Sequence, residues 1–75
     1  MTDYELYLAM LTKAKHKIKV STDKDNDLET DEEKVYNFIV TEDKVNGGII
    51  AAKFELSGEL VEIYLADACH TLDDF

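Results

Sequence analysis

The sequence has no proline, no tryptophan and no arginine, and its 75 residues include only one cysteine and three glycines. A single cysteine excludes an internal disulfide, so the core must stabilise the chain, and we expect a cytoplasmic protein. No apolar run approaches the ~20 residues that span a bilayer. The length allows one small domain, residues 1–75, because two hydrophobic cores need a longer chain.

Acidic residues outnumber basic ones by 17 to 8, which gives a formal net charge of -9. A surface of this sign repels phosphate, so we do not expect direct nucleic-acid binding. Apolar residues make up 45% and charged residues 33%, a composition typical of globular proteins.

The N-terminal segment predicts a helix followed by a strand. Thr2-Asp3-Tyr4-Glu5 has the form of a capping box, and apolar residues then recur at helical spacing to about residue 14. Lysines from Lys13 to Lys19 alternate with Ala14, His16, Ile18 and Val20, which favours a strand at 16–21, with a longer helix through Ile18 as the alternative.

Three further strands are predicted. Residues 35–41 are rich in β-branched and aromatic residues, although a helix from 31 is an alternative. Residues 49–56 and 59–66 predict a β-hairpin that turns at Ser57-Gly58. The expected fold is α+β, with the N-terminal helix packed on one face of a 3–4-stranded antiparallel sheet in two layers. The predicted core consists of Tyr4, Leu8, Leu11, Ile18, Val20, Tyr36, Phe38, Val40, Ile50, Phe54, Val61, Ile63 and Leu65.

The other sheet face is also predicted to carry apolar residues, which one short helix cannot cover. Either an acidic tail at 67–75 folds back with Leu72 and Phe75, or a second chain covers the face, so a homodimer is one expectation. The residues predicted for self-association are Val35, Ile39, Ile49, Leu60 and Tyr64.

An acidic loop at 22–33 is the strongest local signal for function. Alternate residues of an extended segment point the same way about 6.6 Å apart, so its carboxylates could form a line of negative charge like a nucleic-acid backbone. The predicted partner-binding residues are Asp23, Asp25, Asp27, Glu29, Asp31, Glu32 and Glu33. The pattern is typical of an inhibitor that binds a basic, nucleic-acid-binding protein such as a nuclease or repressor. A loop that only keeps the protein soluble is the alternative.

Other chemistry is not expected. EF-hand registers starting at Ser21 or Asp23 are both incomplete, so calcium binding is a minor alternative. The Cys69-His70 pair lacks the partners of a zinc site or a nucleophile. No cofactor motif is present, and we expect a non-enzymatic protein without metal or cofactor. In style, though without any residue correspondence, the chain resembles the small acidic α+β proteins of phages and mobile elements.

Overall fold

The computed structural model describes residues 1–26 and 32–66, and these form one helix and one four-stranded sheet. Helix α1 spans Asp3–Lys13 and is followed by β1 (Ile18–Asn26), β2 (Glu33–Glu42), β3 (Ile49–Glu55) and β4 (Leu60–Ala66). The strands are antiparallel neighbours in the order β1-β2-β3-β4. The predicted two-layer α+β fold is confirmed.

Helix α1 begins and ends where its local sequence predicts. The Thr2 hydroxyl accepts a hydrogen bond from the Glu5 backbone N–H at 3.2 Å, as an N-cap does. At the other end, Lys15 has a φ of 58°, and the His16 N–H donates to the Leu11 carbonyl. The left-handed residue turns the chain out of the helix and into β1.

Strand β1 is longer than its sequence predicts. Residues 22–26 continue the strand, so the predicted loop at 22–33 is wrong over that part, and the strand predicted at 16–21 starts at Ile18. Pairing with β2 sustains the extension: Asp23 lies opposite Tyr36, and Asp25 opposite Lys34. Since the backbone makes the ladder hydrogen bonds, polar side chains on this edge strand do not end it.

The side chains of β2 lie on the opposite sheet faces from those predicted. Ile39 lies under the helix in a cluster with Leu11, Ala52 and Phe54, whereas Phe38 and Val40 lie on the other sheet face. A continuous apolar run from Phe38 to Val40 hides the alternation that would assign the faces. We call the face under the helix the helix-side face, and the other the open face.

Polar residues on the helix-side face make this arrangement possible. Asn37 and Thr41 share that face with Ile39 because they are two residues away along β2. The Thr22 hydroxyl donates to Asn37 Oδ1 at 2.9 Å, and the Thr41 hydroxyl donates to the Lys17 carbonyl at 3.0 Å. Thr22 of β1 therefore satisfies the Asn37 side-chain oxygen, and Lys17, just before β1, satisfies the Thr41 hydroxyl. No sequence pattern reveals such partners.

The β3–β4 turn holds the start of the helix. The Tyr4 N–H donates to the Gly58 carbonyl at 2.9 Å, and the Leu60 N–H donates to Asp3 Oδ2 at 3.1 Å. Gly58 has a φ of 102°, and a Cβ there would lie 2.5 Å from the Thr2 Cβ. The predicted turn at Ser57-Gly58 is confirmed, and both the positive φ and the close contact with Thr2 favour glycine at this position.

Candidate functional site

Charge is separated along the strand direction. Helix α1 starts at the end of the sheet where β1 and β3 finish and where β2 and β4 begin. We call this the acidic end, because its described residues include eight carboxylates and two lysines, Lys24 and Lys34. The carboxylates are Asp3, Glu5, Asp23, Asp25, Glu32, Glu33, Glu55 and Glu59.

The opposite end of the sheet is positively charged. It contains the α1–β1 connection and the β2–β3 turn, with five lysines and two carboxylates, Glu42 and Asp43. We call it the basic end, and its lysines are Lys13, Lys15, Lys17, Lys19 and Lys44. The described part of the chain is therefore a charge dipole of about -6 at one end and +3 at the other, counted from the sequence.

Hydrogen bonds order the turn at the basic end. Asp43 Oδ1 accepts from the backbone N–H groups of Asn46 and Val45, each at 3.0 Å. These two hydrogen bonds, with the Asn46 bond the larger influence, hold the pKa of Asp43 below its ordinary value. The carboxylate is engaged in its own turn, so we assign Asp43 a structural role.

One carboxylate of the acidic end is engaged by a lysine of the sheet. Lys53 Nζ lies 2.5 Å from Asp25 Oδ2 and 4.1 Å from the centroid of the Tyr36 ring. The hydrogen bond to Asp25 is the largest cause of a raised pKa for the Lys53 ammonium. Because Lys53 neutralises part of the field of Asp25, this carboxylate is less available to a partner than Asp23.

A shallow apolar concavity of about 340 Å³ occupies the open face. Its lining includes the buried residues Val40 and Ile49, with Phe38, Ala51, Tyr64 and Ala66 beside them and Ser21 and Asp23 at the β1 edge. The phenol of Tyr64 has a raised pKa, chiefly because it hydrogen-bonds Glu62. Because Asp23 is at the β1 edge of this lining, it is a carboxylate at the margin of an apolar surface.

The predicted partner-binding residues are only partly described by the structure. Asp23 and Asp25 lie on the open face two residues apart, as the alternating pattern predicts. Glu32 and Glu33 are exposed at the start of β2. Asp27, Glu29 and Asp31 lie outside the described residues. Their segment joins β1 to β2, so in the chain it connects to the acidic end.

The residues predicted for self-association do not form one surface. Ile39 is fully buried under the helix, so the prediction that it faces a second chain is wrong. Val35 shares the face of Ile39, being four residues away on β2. Leu60 lines a groove beside α1, and only Ile49 and Tyr64 lie on the open face. Assigning β2 to the wrong face misplaced Val35 and Ile39, and the register shift at Lys53 and Phe54 pairs Leu60 with Phe54 of the helix-side face.

The strand geometry of residues 21–26 does not fit an EF-hand calcium loop. Such a loop curls around its ion, whereas Ser21, Asp23 and Asp25 belong to an extended, paired strand. No group of three or more potential metal-ligating side chains occurs within residues 1–26 and 32–66. Cys69, His70 and the acidic tail 67–75 lie outside the described residues.

Sequence reasoning missed the residues that neighbouring turns bring to the acidic end. Asp3 is far from Glu55 and Glu59 in the chain, and the Asp3–Leu60 hydrogen bond brings the helix start to the β3–β4 turn. The hairpin signal at Ser57-Gly58 places Glu55 and Glu59 at one turn, but nothing in the sequence indicates that this turn contacts the helix. The Lys53–Asp25 pair depends on β1 extending beyond residue 21.

No helix among the described residues is long and apolar enough to cross a membrane. No protein-family model, curated protein or solved structure matches the chain.

Proposed function

We propose that this protein is a non-enzymatic interaction module that binds a basic, nucleic-acid-binding protein through the acidic end of its sheet. It acts as an inhibitor by placing carboxylates where the target would bind phosphates. The observation that carries the proposal is the charge separation, with eight carboxylates and two lysines at one end of the described fold.

The arrangement of the carboxylates supports this role. They come from the helix start, from the β1–β2 ends and from the β3–β4 turn, so their potentials add over one surface. In the sequence, the segment that joins β1 to β2 contains three more carboxylates. A cationic target is therefore attracted to one end of the molecule and repelled by the other.

The concavity of the open face reaches the acidic end at Asp23, where it can accommodate cationic side chains. Lysine and arginine have apolar stems and charged heads. Asp23 lies beside the apolar concavity formed by Phe38 and its neighbours. A cationic side chain of the target can place its stem in the concavity and its head near Asp23.

A pair of matched double variants tests the proposal. Glu32→Gln with Glu33→Gln removes two charges from the acidic end, whereas Glu42→Gln with Glu62→Gln removes two charges elsewhere. The probe is a fluorescent twelve-residue lysine peptide, titrated by anisotropy at 50 and 200 mM salt. Exposed ion pairs contribute about 0.2–1 kcal/mol each, so the first variant should bind about fivefold more weakly, and the second should bind nearly as the parent does.

Asp25 is left unchanged in this test because its loss would also disturb Lys53. If the two double variants weaken peptide binding equally, the peptide responds to net charge alone. That result would contradict the proposal that the acidic end is the binding site. If the localised effect is found, the parent protein should also displace duplex DNA from its target, once that target is recovered from the native host.

A further inference from the structure

Strand β4 is an edge of the sheet and lacks the usual protection of an edge. Every residue from Leu60 to Leu65 is exposed. Of the seven residues of β4, six are apolar or aromatic. Among the described residues, no strand pairs with its outer side. Exposed apolar edge strands carry unpaired backbone groups and are templates for further strand pairing.

The other edge of the sheet is very different. Strand β1 has four charged residues among its nine, namely Lys19, Asp23, Lys24 and Asp25. Charged residues, and lysine above all, protect an edge strand against pairing. In contrast, Glu62 is the single charged residue of β4. This contrast between the edges indicates that β4 is the one suited to bind another strand.

We propose that β4 pairs antiparallel with β4 of a second copy of this chain, which joins two four-stranded sheets into one eight-stranded sheet. The two-fold axis passes through Ile63, the central residue of Leu60–Ala66. This self-association uses the outer edge of β4, whereas the carboxylates of the β1–β2 ends lie on the other side of the sheet.

The sequence of β4 is compatible with itself in this register. Leu60 lies opposite Ala66 of the second copy, Val61 opposite Leu65, and Glu62 opposite Tyr64. The single acidic residue therefore meets a phenol and not a second carboxylate. Like charges facing each other would destabilise the pair, and this register avoids them.

Helix α1 adds apolar area and charge complementarity beside the axis. Leu6 and Met10 are exposed and line a groove with Leu60 and Phe54 on the helix-side face. A two-fold axis normal to the sheet places both helices on the same side and runs them antiparallel. The acidic first turn of α1 then lies toward the basic last turn of its copy, where Lys13 is located.

The proposal predicts a dimer that substitutions at Ile63 disrupt. Ile63→Lys sets two ammonium groups against each other at the axis. Val20→Lys is the matched control, because Val20 has nearly the same exposure, 48% against 50%, and lies on the same sheet face at the other edge. Light scattering after size exclusion should find a dimer for the parent and Val20→Lys, and a monomer for Ile63→Lys. Circular dichroism melting confirms that each variant is folded.

A charge-reversal mixture tests the position of the axis. Ile63→Glu should also be monomeric alone, but an equal mixture with Ile63→Lys should form a salt-sensitive heterodimer, since only a self-opposed residue places the two charges together. A parent that stays monomeric up to millimolar concentration overturns the proposal, and so does a dimer that survives Ile63→Lys. A mixture that stays monomeric excludes an axis at Ile63.

Discussion

The Lys53–Asp25 pair gives a sharp stability prediction, because its two partners have very different environments. The Lys53 side chain is 8% exposed, whereas that of Asp25 is 54% exposed. Asp25→Asn removes the carboxylate partner of an ammonium group in a nearly dry position, where the Tyr36 ring still makes a cation–π contact. Lys53→Met leaves a carboxylate that water solvates. The first change should therefore destabilise the fold more than the second.

The size of the asymmetry follows from general magnitudes. A hydrogen bond to a charged group contributes about 1.5–3 kcal/mol, and an exposed ion pair about 0–1 kcal/mol. Because Asp25 is half in water, we expect Asp25→Asn to cost about 1–2 kcal/mol. Lys53→Met should cost less than about 1 kcal/mol, since a methionine fills the same space without a charge. The double variant should be close to Lys53→Met.

Urea denaturation of the parent, both single variants and the double variant at pH 7 measures these costs and their coupling. The pH dependence gives a second readout. Because the pKa of Lys53 is raised in the folded state, the stability from the pair is complete below the ordinary lysine pKa and is lost as pH rises through the folded value. Above about pH 10, the free energy of unfolding should therefore fall less steeply with pH in Asp25→Asn than in the parent. An Asp25→Asn cost no larger than that of Lys53→Met would refute the argument from burial.

The helix start, the core and the β2–β3 turn each contain a residue whose substitution should change stability. Gly58→Ala should cost about 1–3 kcal/mol from its positive φ and from collision with Thr2, and adding Thr2→Gly should recover part of that cost in a double-mutant cycle by thermal melting. Ile39→Ala should cost about 2–5 kcal/mol in urea denaturation because the side chain is fully buried, and a small cost would mean that Ile39 is not in the core. The lowered pKa of Asp43 contributes stability that is present at neutral pH and is lost as pH falls below the ordinary carboxyl value. The difference in melting temperature between the parent and Asp43→Asn should therefore shrink from pH 7 to pH 2.5, and a constant difference would contradict this role.

Elements with local signals can be predicted from the amino-acid sequence alone. The Thr2 cap, the helical spacing of Tyr4, Tyr7 and Leu11, and the turn at Gly58 each depend on neighbours within a few residues. The total charge is also given by the sequence, and so is the two-residue spacing that puts Asp23 and Asp25 on one face of a strand. The cap, the helical spacing and the hairpin turn predicted the fold class and its antiparallel hairpin.

Features that depend on pairing between distant residues follow from the assembled sheet and not from local sequence. The β1–β2 register extended β1 through Asn26, and partners for Asn37 and Thr41 placed Ile39 under the helix. Contact between the helix start and the β3–β4 turn gathered carboxylates from separate segments into one acidic end. A side chain's face and partners are set by the free energy of the whole assembled sheet, so local patterns cannot supply them.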